Sequence, residues 1–256
     1  MCDLGGRTIL VTGASKGIGA AIAAAVGAAG GNVVAHYRSD RNGAEDATRS
    51  VLRDRKLIVG ADLARSDDVR RLWEKALAWR GRVDVLVNNA GAMIMRGGID
   101  AQDDEWDDVW ERTLAANVLG PARLTRDAVR HFREVGGGVI ITISSWAAQR
   151  GSNDPDTMAY SASKAAAKAF TQTIALGCAR ERILAYVIAP GLVRTKMAED
   201  FAAAQPGGEG PITESLAMRE WTPASEIADL TVFLATGKAR HLSGATLDVN
   251  GASYIR

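Results

Sequence analysis

The sequence predicts an α/β chain built on a parallel, doubly wound sheet of about seven strands, with helices on both faces. Three observations carry this. Short apolar runs alternate six or seven times with segments of helical spacing, the pattern of βαβ units. A glycine-rich turn, Gly13-Ala14-Ser15-Lys16-Gly17-Ile18-Gly19, joins the first apolar run to the first helix. The remaining small and polar residues of interest fall where successive strands end, the edge at which open α/β sheets bind ligands.

Composition excludes several classes. The chain has 256 residues, 47% of them apolar, and a net charge of +1 from 31 basic and 30 acidic side chains. Length and apolar content suit one large domain over residues 1–256, and the charge balance gives no reason to expect nucleic acid or an anionic membrane as partner. Cys2 and Cys178 read as reduced thiols rather than a disulfide framework. With His36, His131 and His241 they form no metal-ligand pattern, so no metal is expected. No apolar run reaches spanning length. The opening MCDLGGRTILVTG enters a strand almost at once, so no signal peptide and a cytoplasmic location are expected.

Taken in order, Thr8 to Val11 is the first buried strand. The GxxxGxG turn after it brings backbone N–H groups and a helix N-terminus toward a phosphate, and its glycines permit close approach. Asn32 to Tyr37 is the second strand. The position past it reads the ribose 2′ site of a dinucleotide, where an acid favours NAD and an arginine NADP. Here Arg38 and Ser39 stand there, with Lys16 as a second positive charge, which points to NADP. A helix is expected over Gly43 to Arg55 and a strand over Lys56 to Gly60. Asp62 follows that strand, and Ser66-Asp67-Asp68 reads as the cap of the next helix, leaving Asp62 for an adenine amino group. Leu72, Trp73, Ala76 and Leu77 form that helix's core face.

Val83 to Val87 is the fourth strand, ending in Asn88-Asn89-Ala90-Gly91, small enough for a ring to lie close. A helix over Asp103 to Val118 carries Asn117 near its end, where an amide would kink the helix and hold a water. A further helix runs from Ala122 to Val135, and the fifth strand, Val139 to Ile143, ends in Ser144-Ser145. The sixth closes on Pro190-Gly191. An irregular, mobile lid is expected around 192–218. Pro223 opens the last helix, and Ala245 to Val249 is the last strand.

Between the serines and the lid lies Tyr160-Ser161-Ala162-Ser163-Lys164. Tyr160 and Lys164 are one helical turn apart. A phenol ionises near pH 10, too high for neutral-pH chemistry, but a fixed ammonium lowers that value. The pair suits general acid–base work on an alcohol or carbonyl.

TGASKGIG at 12–19, NNAG at 88–91, Asn117, the serine pair, YSASK at 160–164 and PGLVRT at 190–195 together resemble the short-chain dehydrogenase/reductase family, including its bacterial 3-oxoacyl-reductase-like and carbonyl reductase members. The resemblance spans nearly the whole chain. It implies a Rossmann-like fold, hydride transfer between NADP, or NAD, and a small-molecule carbonyl or secondary alcohol, and a homotetramer, with a dimer as the alternative. It assigns Tyr160 as acid or base and Lys164 as the residue that lowers its pKa and binds the nicotinamide ribose. Ser145 would bond the substrate oxygen, and Asn117 would hold a water relaying protons from Lys164. Gly13, Ser15, Lys16, Ile18 and Gly19 would surround the diphosphate and adenosine ribose. Arg38 and Ser39 would take the 2′-phosphate, Asp62 and Leu63 the adenine, and Asn89, Ala90 and Gly91 the adenosine side. Pro190, Gly191, Val193 and Thr195 would hold the carboxamide. The loop before Tyr160 is longer than in the bacterial reductases, and Gly251-Ala252-Ser253 replaces the usual double glycine. An NAD-dependent alcohol or sugar dehydrogenase is the alternative reading. Intact Tyr160 and Lys164 argue against a non-catalytic nicotinamide sensor.

Overall fold

In the computed structural model, which describes residues 2–256, seven strands form one wholly parallel sheet in the order β3-β2-β1-β4-β5-β6-β7. The strands are β1 (Thr8–Val11), β2 (Asn32–Tyr37), β3 (Lys56–Gly60), β4 (Val85–Asn88), β5 (Gly138–Ile143), β6 (Ile183–Pro190) and β7 (Thr246–Val249). The order reverses between β1 and β4, which opens a crevice at their C-terminal ends.

Period-two alternation places successive strand residues on opposite faces. Ile9, Val11, Val85, Val87, Ile141 and Ile188 enter one core, against α1 (Gly17–Ala28) and α10 (Ala224–Ala235). Leu10, Val34, Leu86, Ile140 and Ile183 enter the other, against α3 (Ser66–Arg80) and α5 (Gly120–Val135). Both faces are covered, so the strands read as unbroken apolar runs. The remaining helices are α2 (Arg41–Ala47), α4 (Asp103–Leu114), α6 (Ala147–Arg150), α7 (Met158–Gly177), α8 (Lys196–Ala204) and α9 (Glu209–Ser215).

Four expectations need correction. The helix expected over Gly43 to Arg55 is only α2: the Thr48 hydroxyl donates back to the Ala44 carbonyl (2.8 Å), the helix stops, and Val51 turns in against Gly27. The fourth strand begins at Val85, not Val83: at Asp84 the side-chain carboxylate, and not a main-chain carbonyl, accepts the Thr8 N–H (2.8 Å). The helices expected over 103–118 and 122–135 are one continuous rod with a widened turn at 115–119, where the Gly120 N–H reaches back to the Ala115 carbonyl. The lid is not irregular: α8 and α9 lie within it. Ala202, Leu216 and Trp221 pack there with Trp146, Leu192, Ala198 and Ile212 as a third, small core.

Candidate active site

The C-terminal edge of the sheet forms one cleft of about 940 Å³, running from Arg38 and Asp62 past the glycine turn to Ser145, Tyr160 and the lid. The predicted residues from all three regions line it. Asn117 does not line it but lies buried behind it.

The glycine turn is clamped from beneath. Thr12 Oγ1 donates to the Val87 carbonyl (3.1 Å) and accepts the N–H groups of Asn89 (2.9 Å) and Ala90 (3.0 Å). Asn89 Nδ2 donates to the carbonyls of Thr12 (2.8 Å) and Gly13 (3.2 Å), so this amide holds the turn. Gly13 has φ +68°, a left-handed conformation that glycine adopts without strain. A Cβ on Gly19 would stand 2.1 Å from the Gly13 carbonyl oxygen, so no side chain fits where α1 starts against β1. The first N–H groups of α1 have no acceptor within the helix, and Gly17, Ile18 and Gly19 line the cleft.

At the far end, Arg38, Ser39 and Lys16 are exposed on the cleft wall, and among the described residues neither Arg38 nor Lys16 forms an ion pair within 4 Å. Ser15 Oγ donates to the Asp40 carbonyl (2.6 Å), while the Asp40 carboxylate accepts the Gly43 N–H (2.8 Å) and caps α2. The cap expected at Ser66 is absent. Instead Asp68 reaches back to the Asp62 N–H (2.9 Å), and Asp62 Oδ1 accepts from Ala64 N–H (3.0 Å), which commits half of a carboxylate expected to be free.

Near the middle of the sheet, α7 presents Tyr160 and Lys164 to the cleft. Lys164 is buried, its Nζ donates to the Ile143 carbonyl (2.9 Å), and it lies 5.7 Å from the centre of the Tyr160 ring. Ser144 and Ser145 are separated by their partners. Ser144 Oγ donates to the Lys164 carbonyl (2.9 Å) and is used internally. Ser145 Oγ accepts the Ala147 N–H (3.1 Å) and adjoins Tyr160. Burial pushes the Lys164 ammonium down to about 8. The expected lowering of the Tyr160 pKa is not what the protein alone gives. Burial raises it, and the Ser145 hydroxyl, which favours the phenolate, opposes only part of that.

Asn117 is also placed differently from the expectation. Its Oδ1 accepts the Ala92 N–H (2.8 Å), and its Nδ2 donates to the Ala92 carbonyl (2.8 Å) and to Ser163 Oγ (2.9 Å). The amide therefore has no donor left for a water. The widened turn supplies the alternative: residue 121, which would serve the Asn117 carbonyl at α spacing and the Ala116 carbonyl at π spacing, is proline and has no N–H. Ser163 Oγ in turn donates to the Tyr160 carbonyl (2.7 Å), linking Asn117 to the start of α7.

Beyond β6, the Pro190 carbonyl accepts the Trp146 N–H (2.9 Å), the Gly191 N–H donates to Val249 (2.9 Å), and Val193 is buried. Thr195 Oγ1 caps α8 through the Ala198 N–H (3.3 Å). Sequence reasoning missed Thr12, the clamp of the turn, and His36, which bridges the Gly13 N–H (3.1 Å) and the Ala61 carbonyl (3.0 Å). A lone histidine in an apolar strand carries no motif. The available signal was its place near the end of β2, two residues before Arg38.

A parallel sheet whose crevice holds a helix-terminal glycine turn at one end and a tyrosine–lysine pair at the other defines a nucleotide-binding oxidoreductase. The family model described as short chain dehydrogenase matches residues 7–206. The 3β-hydroxysteroid dehydrogenase 1 of Eggerthella lenta is 36% identical, over 99% of this chain and 95% of the relative. Glucose 1-dehydrogenase 2 of Bacillus subtilis is 32% identical, over 99% and 96%. The crystal structure of a short chain dehydrogenase from Burkholderia cenocepacia in complex with NADP superposes with a TM-score of 0.86, at 28% identity and 98% coverage of both chains. The chain belongs to the short-chain dehydrogenase/reductase family and is an oxidoreductase acting on alcohol or carbonyl groups with a nicotinamide cofactor.

Proposed function

We propose that the chain, acting as one nucleotide-binding and catalytic unit over residues 1–256, transfers hydride between NADP(H) and a medium-sized, partly apolar carbonyl or secondary alcohol. The observation that carries this reading is the group Ser145, Tyr160 and Lys164 at the same crevice as Arg38 and Lys16, which form no ion pair among the described residues. The donor set fits the cofactor. The N–H groups opening α1 suit a diphosphate, and Arg38 with Lys16 suits a 2′-phosphate. Gly91 keeps the wall beside Lys164 free of side chain: a Cβ there would stand 3.2 Å from Nζ. The neighbouring family structure was solved with NADP.

When bound, the nicotinamide supplies or accepts the hydride. Tyr160 gives a proton to the substrate oxygen in reduction and takes one in oxidation, and Ser145 bonds that oxygen. Lys164, held by the Ile143 carbonyl, orients beside Tyr160 and binds the nicotinamide ribose. A water on the carbonyls freed by Pro121 would carry the proton onward. Gly13, Ser15, Ile18 and Gly19 enclose the diphosphate, Ser39 assists Arg38, and Leu63 and Asp62 border the adenine with Asn89 and Ala90. Pro190, Gly191, Val193 and Thr195 hold the carboxamide. Met93, Met95, Trp146, Leu192, Met197 and Phe201 give the substrate side its apolar character. The steroid dehydrogenase among the relatives accords with a substrate of that kind.

Exposed Leu119 and Leu176 accord with assembly into a homotetramer. Among the described residues no helix is long and apolar enough to cross a membrane, which accords with a cytoplasmic enzyme. The deciding experiment is Tyr160→Phe. Turnover with NADPH across a panel of ketones should fall by about 10²–10⁴-fold, the usual worth of a general acid, while NADPH still binds. An unimpaired variant would refute the assignment.

A further inference from the structure

We propose that His36 is a positioning residue for the diphosphate-binding turn: as the neutral Nε2–H imidazole it ties the Gly13 N–H to the Ala61 carbonyl and fixes the spacing of the two walls around the adenosine half of the cofactor. The inference rests on the NADP(H) reading above.

The tautomer follows from the bonds. A main-chain N–H only donates, so Nδ1, 3.1 Å from the Gly13 nitrogen, is the acceptor. The ring proton is then on Nε2, which donates to the Ala61 carbonyl at 3.0 Å. The imidazole is 2% exposed, and burial favours its neutral form, with Asp62 pulling the other way. Each ring nitrogen therefore has one partner, on a different strand end.

The location gives this arrangement its function. Main-chain bonds still join the edges just here, from the Ala14 N–H to the His36 carbonyl (2.8 Å) and from the Ala61 N–H to the Tyr37 carbonyl (3.0 Å). Just past these bonds the strands end, and Gly13, at φ +68°, has left the ladder. Asn89 and Thr12 hold the turn from the β4 side, and His36 holds it from the β2 side. The same ring anchors Ala61, the residue before Asp62 and Leu63. One side chain thus sets the turn that receives the diphosphate and the wall that receives the adenine. A site held this way loses affinity when its supporting contacts loosen by a fraction of an ångström.

Two near-isosteres separate this role from plain fold support. His36→Asn keeps an acceptor at the Nδ1 position and loses the Nε2 donor. His36→Gln keeps a donor at the Nε2 position and loses the acceptor. His36→Leu loses both. NADPH dissociation constants would be measured by tryptophan fluorescence, with thermal midpoints and kcat at saturating NADPH alongside. The Gln variant, which loses the bond to the turn, should bind NADPH about tenfold more weakly, the order expected from one buried hydrogen bond, with kcat at saturation unchanged. The Leu variant, which loses both bonds, should bind more weakly still, and Asn, which keeps the bond to the turn and loses only the one to Ala61, should lie between wild type and Gln. Should the Leu variant not fold, the Asn–Gln pair decides alone. Equal affinities for Asn and Gln, or a Leu variant that binds like wild type, overturn the proposal while leaving the cofactor reading intact. A wild-type protein that binds neither NADPH nor NADH overturns both.

Discussion

Replacing Lys164 by methionine is expected to make the protein more stable at neutral pH while removing its activity. Lys164 is buried, and its ammonium is pushed down from 10.5 to about 8. Its folded pKa lies below its unfolded one, so the unfolded chain binds more protons between those two values, and stability rises with pH across that window. At pH 7 the folded protein carries a penalty of about 3 kcal/mol for holding the charge, which falls to about 1.5 kcal/mol at pH 9.5. Methionine fills similar space without the charge but gives up the bond to the Ile143 carbonyl, a loss of about 1 kcal/mol. The variant should therefore gain about 2 kcal/mol over wild type at pH 7 and almost nothing at pH 9.5. Urea unfolding of both proteins at each pH, at one fixed protein concentration, measures this. Taking the difference between the two proteins cancels the titrations of groups that do not interact with Lys164. A difference that stays flat from pH 7 to pH 9.5 would refute the reasoning, because it would mean that Lys164 ionises in the fold as it does in water.

Three further outcomes follow from the same geometry. Gly19→Ala places a methyl 2.1 Å from the Gly13 carbonyl oxygen, so the turn must move; NADPH binding should be lost and the thermal midpoint lowered. Asn117→Ala removes three bonds, to both main-chain groups of Ala92 and to Ser163, and should cost roughly 3 kcal/mol in urea unfolding. Arg38→Asp should reduce the preference for NADPH over NADH by about ten- to a hundredfold, the worth of a charge-assisted phosphate contact, as read by fluorescence titration; an unchanged ratio would show that Arg38 does not meet the phosphate.

The fold was legible because strands buried on both faces leave unbroken apolar runs and the glycine turn fixes where the first unit begins. All seven strands fall within a few residues of their expected positions. The errors share one origin. At α2 a side chain, Thr48, bonds to the backbone within its own helix, and periodicity does not register such a bond. In the 192–218 segment, seven or nine residues suffice for a helix once a local apolar cluster supports it, which a polar, glycine-containing stretch conceals. The cleft-lining residues were legible from motifs, whereas their partners were not. That Asn117 spends its amide on Ala92, that Ser144 spends its hydroxyl on the Lys164 carbonyl, and that Asp62 is half committed are all facts of three-dimensional contact. Tyr160 shows the same limit for electrostatics, since spacing announces the neighbouring charge but not the burial that outweighs it.

The small core beneath the lid shares none of its residues with the two cores that flank the sheet. The lid is tied down by separate contacts: Gln205 to Asp154 (3.0 Å), Trp221 to Thr213 (2.7 Å), and Arg194, which pairs with Glu209 (2.7 Å) and stacks on Trp221. Exchanges among Leu192, Ile212 and Leu216 are thus felt locally, while the sheet that positions the hydride chemistry keeps its own stability. This segment can therefore vary in sequence without the rest of the chain passing through an unfolded intermediate.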